Sequence, residues 1–358
     1  MKKVVKRILM IIGIVILAVV LAAVLYMLIG RTIHKNEVKV KSDTGIQEQV
    51  TIEVNGIQQE LSIYGEDQSN PVILFVHGGP GSPFGFLNYA WQPYLKENFT
   101  IVSYDQRGCG RTHYANPDAE VSKELILQDM DEIVDYLRER FSQEQITLLG
   151  YSWGTLLGTS YVYEHPEKIE NYIGAGQVVN IYRGEEIAYE EAVKRATAAN
   201  DTEYVTQITA AYESFVETRK IDKDFLTFRG MEPKYLLGNR EKTPLQLVPI
   251  AYTSPDVKAK DLKWYLFDSN KVLMAEDNPL TKELFQFDAY EMKEYQVPMY
   301  FISGGNDYVT PFSAVEAYYE SITAPKKDMI IIDGVGHNAL FDVPEEFANA
   351  IKQFGLAE

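Results

Sequence analysis

Short, uninterrupted apolar runs recur along this chain, and they constrain its fold more than any other feature. Val72 to Val76, Ile101 to Tyr104, Ile146 to Leu149, Tyr172-Ile173, Val297 to Ile302 and Met329 to Ile332 are bounded by glycine, proline or polar residues. Runs of that length are too short for buried helices and suit strands covered on both faces, as in a parallel sheet. Amphipathic segments separate them. Over 124–141, for example, Leu125, Ile126, Met130, Ile133, Val134 and Leu137 share one helical face. Strands and helices in alternation imply a doubly wound, mostly parallel α/β sheet with right-handed crossovers. Two alternating segments, 49–54 and 60–64, precede it and predict an antiparallel hairpin at the sheet edge, with Asn55-Gly56 as its turn signal.

The alternation stops between about Gln177 and Tyr290, where Glu, Ala, Lys and Tyr dominate and helices are predicted. That stretch reads as a helical cap inserted over the sheet. The expected division is therefore an α/β core in two parts, 48–176 and 291–358, with the cap at 177–290 between them. No internal repeat interrupts this plan.

Residues 1–30 are of another kind. Lys2, Lys3, Lys6 and Arg7 precede a charge-free run from Ile8 to Ile29, about 33 Å long as a helix at 1.5 Å per residue. Such a run spans a bilayer and exceeds the apolar core of a secretory signal, so an uncleaved anchor is expected, with a cleaved signal as the alternative. The leading basic residues place the N-terminus in the cytoplasm and the main domain outside, a cell-membrane location with secretion as the alternative. Residues 31–47 read as a polar tether. The formal net charge is −17 with all four leading cations included. Nucleic acid is thereby excluded as a partner, since phosphate contacts need clustered cations. Cys109 is the sole cysteine, which excludes a disulfide framework and a multi-cysteine metal site.

The chemistry centres on Gly150-Tyr151-Ser152-Trp153-Gly154. The pentapeptide joins a predicted strand to a predicted helix, where flanking glycines permit the sharp turn that exposes a nucleophilic serine. A serine nucleophile needs a base. Of five histidines, His34 lies beside the membrane segment, His165 precedes Pro166, and His77 and His113 belong to glycine-rich loops. His337 remains, in the loop after the strand at 329–332, at the carboxyl edge where parallel-sheet sites form. The imidazole needs a carboxylate, and the order Ser, acid, His points to Asp307, with Asp333 as its rival. Oxyanion donors are expected from the backbone N–H of Trp153 and, in His77-Gly78-Gly79-Pro80-Gly81, from that of Gly79. The same loop lacks the lysine of a phosphate cradle.

Three motifs together, His77-Gly78-Gly79-Pro80-Gly81, Asp105-Gln106-Arg107-Gly108-Cys109-Gly110-Arg111-Thr112 and Gly150-Tyr151-Ser152-Trp153-Gly154, resemble the proline iminopeptidase family of α/β-hydrolases, in the family's order. The resemblance covers about 48–176 and 295–356. It implies an α/β-hydrolase fold and a serine hydrolase that needs no cofactor or metal and removes N-terminal residues, often proline, from short peptides. It further implies that Arg107 supports the site through an internal ion pair and that Cys109 is buried packing. Family members hold the substrate's α-amine with cap carboxylates. No position here matches them by motif, and Glu185, Glu186, Glu190, Glu191, Glu241 and Glu276 are expected to be solvated helix charges. A carboxylesterase on the same scaffold and a non-catalytic, membrane-tethered binding module are the competing readings. Substrate preference and oligomeric state are left open.

Overall fold

The computed structural model of the protein describes residues 2–269, 271 and 278–356. The charge-free run forms α1 (Lys2–Glu37), which continues through the first part of the expected tether. No glycine or proline interrupts 31–37, and the chain turns only at Val38, whose carbonyl accepts the Tyr64 hydroxyl at 2.8 Å. The hairpin follows as β1 (Ile46–Val54) and β2 (Ile57–Gly65). Asn55 (φ 44°) and Gly56 (φ 72°) both adopt left-handed backbone, as a two-residue type I′ turn requires.

The apolar runs become β3 (Val72–Val76), β4 (Thr100–Tyr104), β5 (Ile146–Tyr151) and β6 (Ile169–Ala175). Between them lie α2 (Gly110–Ala115), α3 (Lys123–Phe141) and α4 (Trp153–Glu164). Ser122 caps α3 by accepting from the Leu125 N–H. After the inserted helices come β7 (Met299–Gly304) and β8 (Lys327–Ile332), and these eight strands form one sheet in the order β1-β2-β4-β3-β5-β6-β7-β8. Only the pairings of β2 with β1 and β4 are antiparallel; the rest are parallel.

Alternation along the strands builds two cores. Val72, Leu74 and Val76 point into a layer covered by α3 and α4, whereas Ile73 and Phe75 point into the opposite layer with Trp91, Phe99 and Phe354. Burial on both faces is what the continuous apolar runs predicted, and it holds for β3 to β7 but not for the edge strand β8, where Ile331 is exposed; the doubly wound sheet is borne out.

The insertion comprises α5 (Ile181–Ala198), α6 (Thr202–Thr218), α7 (Lys223–Met231), α8 (Pro233–Leu236), α9 (Pro244–Tyr252), α10 (Ala259–Lys263) and α11 (Pro279–Gln286). Its two ends meet where Asn180 pairs with Asp288. Ala188, Ala192 and Ala196, four residues apart on α5, present a flat face to Ile208 and Ala211 of α6 and Phe228 of α7, giving these helices a small core of their own. Several polar links fasten the insertion to the sheet domain, two of them buried beside the glycine loops. Arg111 forks onto Asp261 (2.9 and 3.0 Å), and the Trp264 indole N–H donates to the Gly81 carbonyl at 2.8 Å. The chain closes with α12 (Phe312–Ser321), α13 (Ala339–Asp342) and α14 (Pro344–Gly355).

Candidate active site

Three loops at the carboxyl edge of the sheet bring Ser152, Asp307 and His337 together from the ends of β5, β7 and β8. Ser152 sits at φ 52° and ψ −123°, strained backbone for a residue with a side chain. The neighbours explain why the turn tolerates it. A Cβ on Gly154 would overlap the Val76 carbonyl, and one on Gly150 would stand 2.8 Å from the Gly154 oxygen. The serine is thereby pushed above the sheet, and Ser152 Oγ lies 2.8 Å from His337 Nε2.

On the other side of the ring, His337 Nδ1 lies 2.8 Å from Asp307 Oδ2. Asp307 is fully enclosed and heavily bonded: Oδ1 accepts the N–H groups of Val309 (2.8 Å) and Thr310 (2.9 Å), and Oδ2 accepts the Thr310 hydroxyl at 2.8 Å. Burial pushes this carboxyl up, but the charge of His337 with the bonds from His337 and Thr310 outweighs it and holds Asp307 below its ordinary range. With Nδ1–H donated to the carboxylate, Nε2 faces the serine as an acceptor. The ring lies 5.4 Å from that of Tyr151. Asp333, the rival acid, is exposed and offers only its backbone carbonyl, to Arg240 at 3.1 Å.

Gly79 and Trp153 border a cavity of about 400 Å³ together with Ser152. Trp153 opens α4, so its N–H is among those at a helix start that have no carbonyl partner within the helix. Val178, Ile181, Phe225, Leu284 and Val309 make most of the remaining wall apolar. A second cavity, about 350 Å³ and bounded by Glu60, Asp105, Arg111 and Asp261, includes none of the three reacting candidates.

The other histidines are occupied elsewhere. His77 is buried, lies 2.7 Å from the Gly78 carbonyl through Nδ1, and accepts the Gln106 N–H at Nε2 (3.2 Å). Burial pulls it down to about 4, so it is neutral and holds the loop. His34 packs on Tyr89, His113 on Trp264, and His165 on Tyr161. Cys109 is buried, its thiol donating to the Gln106 carbonyl at 3.1 Å, and burial pushes that thiol well up. Among the described residues no group of three His, Cys, Asp or Glu side chains could hold a metal ion.

Arg107 forks onto Asp129 (2.8 and 2.7 Å) beneath the loop, and Asn55 and Gln59 also donate to that carboxylate. Both partners are almost fully enclosed. Asp129→Ala leaves the guanidinium buried and unpaired, and is expected to cost about 3–5 kcal/mol, read from denaturant unfolding.

One sequence expectation needs correcting. Glu185 is not a solvated helix charge: it is fully buried on α5 and forms an ion pair with Arg229 of α7, which also reaches Glu232 at 3.5 Å. Burial pushes both carboxyls above their ordinary range, with Arg229 opposing it. Glu185 Oε2 and Glu232 Oε1 have no donor, and Arg229 lines the cavity beside Ser152. Arg229 and Glu232 escaped sequence reading because a charged pair three residues apart on a helix is commonplace. Glu186 pairs with Arg183, Glu191 with Lys194 and Arg195, and Glu190 is exposed. Glu241 departs from the expectation as well: it lies outside any helix, half-buried against Gly336, and accepts the Gly238 N–H at 3.1 Å. Glu276 lies outside the described residues. Thr310 was also missed, although an aspartate followed by a threonine three residues on is a turn signal.

The fold and this loop arrangement define a class. A family model for the alpha/beta hydrolase fold matches residues 71–344, and the chain belongs to that family. Within it, a probable aminopeptidase of Bacillus subtilis strain 168, YbaC, is 27% identical over 310 residues, covering 84% of this chain and 94% of that protein. A proline iminopeptidase of Lactobacillus helveticus strain DPC 4571 is 22% identical over 302 residues, with the same coverage. The structure of a proline iminopeptidase-related protein from Thermus thermophilus shares the fold, with a TM-score of 0.56 at 21% identity over 86% of this chain and 96% of that one. The resemblance read from the three motifs is borne out.

Proposed function

We propose that this hydrolase is a serine aminopeptidase of proline iminopeptidase type, releasing N-terminal residues from short peptides through an acyl-enzyme. The observation that carries the proposal is the hydrogen-bonded series Ser152, His337, Asp307, whose serine lines one cavity. His337 Nε2 takes the serine proton as Oγ attacks the scissile carbonyl, and Asp307 stabilises the imidazolium that results. The backbone N–H groups of Gly79 and Trp153 receive the developing oxyanion. His337 then protonates the leaving amine, and water, activated by the same imidazole, releases the acyl group. Residues 177–290 act as the cap that limits access to short substrates.

The aminopeptidase reading draws on the names of the relatives and on Glu185, Arg229 and Glu232. With both carboxylates ionised, that cluster carries one negative charge in excess and two oxygens without donors. A substrate α-ammonium supplies both the charge and the donors. Glu185→Gln and Glu232→Gln are each expected to raise KM for a proline arylamide by about 10- to 100-fold, and far less for an N-acylated substrate. Because burial raises both carboxyls, they lose protons only as pH approaches and passes neutrality. KM for the amine substrate should therefore fall as pH rises through that window, until the α-amine itself deprotonates near about 8. A KM independent of pH there would remove these glutamates from substrate binding.

The apolar wall favours one second reading, a carboxylesterase. Proline and alanine arylamides set against p-nitrophenyl esters, with the purified full-length protein in detergent, decide between them. Turnover confined to esters makes the protein an esterase. A Ser152 inert to fluorophosphonate in folded protein would instead favour a non-catalytic binding module.

Helix α1 is long and apolar enough to cross a membrane, a property that N-terminal signal sequences share. We take it as an uncleaved anchor, with the catalytic domain on the outer surface.

A further inference from the structure

We infer that the cap helix α9, together with Tyr94 of the sheet domain, docks into the surface layer of the bilayer from which α1 emerges. The inference rests on reading α1 as a membrane span. Helix α9, Pro-Leu-Gln-Leu-Val-Pro-Ile-Ala-Tyr, contains no charged residue. Its inward side, Leu247, Ile250 and Ala251, faces the protein, and the Ile250 carbonyl accepts the Tyr89 hydroxyl at 2.7 Å. Its outward side is largely apolar, with Gln246 its one exposed polar residue: Leu245, Val248 and Tyr252, at helical spacings of three and four, are 83%, 57% and 36% exposed. On a chain of formal net charge −17, a charge-free helix turned outward needs an apolar occupant.

The position of α9 identifies that occupant. The charge-free run of α1 ends at Ile29, and the next residue, Gly30, packs so closely on Thr253, just past α9, that a Cβ there would overlap it. One turn further on, His34 lies 4.8 Å from Tyr89, ring to ring. Helix α9 is thus held at the height where the span leaves the hydrocarbon. Tyr26 of α1 borders the same cleft as Tyr89, Tyr94, Pro249 and Ile250. Tyrosines gathered at one level along a span mark the interfacial belt of a bilayer. Arg31 and Lys35 stand at this level too, Lys35 exposed and Arg31 partly so, with its Nε enclosed by the protein. Lipid phosphates at that height are the matching acceptors. The lipid surface therefore meets an apolar helix, a tyrosine belt and two cations contributed by the anchor and the cap together.

The test uses the full-length protein in phosphatidylcholine–phosphatidylglycerol vesicles, labelled with a thiol-reactive fluorophore on single introduced cysteines; native Cys109 is buried. Three sites are compared: Val248→Cys on α9, Val20→Cys within α1, and Glu320→Cys on α12 beside β8, at the sheet edge farthest from β1. Val248→Cys should lose emission to nitroxide lipids bearing the quencher at the headgroup more than to those bearing it deep in the chain. Val20→Cys should show the reverse order, and Glu320→Cys should lose little to either. If Val20→Cys is quenched from the deep position while Val248→Cys behaves like Glu320→Cys, the anchor stands and the docking is overturned. Cross-linking between copies through Val248→Cys in that case would assign the face to a second copy. If Val20→Cys escapes the deep quencher, α1 does not span and both readings fall.

Discussion

Ser152→Ala is expected to lower kcat on a proline arylamide by about 10⁴- to 10⁶-fold, the range seen when a nucleophile that works with a histidine is removed. The size of the effect follows from geometry. Ser152 Oγ is the only candidate nucleophile within hydrogen-bond reach of His337 Nε2 among the described residues. Stability should respond differently from activity. Alanine keeps the strain of φ 52° and ψ −123°, so its unfolding midpoint stays near that of the parent. Ser152→Gly removes both the nucleophile and the strain, and is expected to gain about 1–2 kcal/mol in stability. Steady-state kinetics and thermal melts of the two variants separate the contributions, and undiminished turnover in either would remove the proposed mechanism.

Asp307→Asn should be almost as damaging, lowering kcat by about 10⁴-fold with KM little changed. The carboxylate's bonds determine why. Its Oδ1 accepts two backbone N–H groups, from Val309 and Thr310, so an asparagine keeps its oxygen there and turns its NH₂ toward His337 Nδ1. A donor facing Nδ1 moves the ring proton to Nε2, where it points at Ser152 and blocks the acceptance of the serine proton. Thr310 Oγ1, 3.2 Å from Nδ1, offers an alternative acceptor and limits the loss. A parent-like kcat in this variant would mean that the carboxylate does not orient the base. Nitrogen-15 spectra of the imidazole would report the tautomer directly.

Much of this was legible in the chain because the residues concerned follow strands, and strands are announced by their burial. Ser152, Asp307 and His337 each come within a few residues of an apolar run, so once the runs were placed in a parallel sheet the three loops had to share its carboxyl edge. The hairpin was legible for a similarly local reason, since Asn55-Gly56 suits a turn in which both residues are left-handed. The cap was not. Its helices carry the same amphipathic signal whichever way they pack, and the Glu185, Arg229 and Glu232 cluster arises only where α5 meets α7 and α8. A buried glutamate on α5 looks, in sequence, like its exposed neighbour Glu190. The extension of α1 past residue 30 was hidden for the opposite reason: polar residues there suggested a tether, while nothing in them breaks a helix.

The bond from the Trp264 indole to the Gly81 carbonyl, made across the boundary between cap and sheet domain, works as an interlock. Gly81 is two residues from Gly79, in the turn that brings the Gly79 N–H to the cavity. A hydrogen bond of this kind contributes only about 0.5–1.5 kcal/mol, too little to hold the cap shut and enough to bias a short glycine loop among its conformations. The bond thereby ties the conformation of the glycine loop to the seating of Trp264. On the proposed reading, the seating of the cap and the setting of the loop that offers the Gly79 N–H are one event.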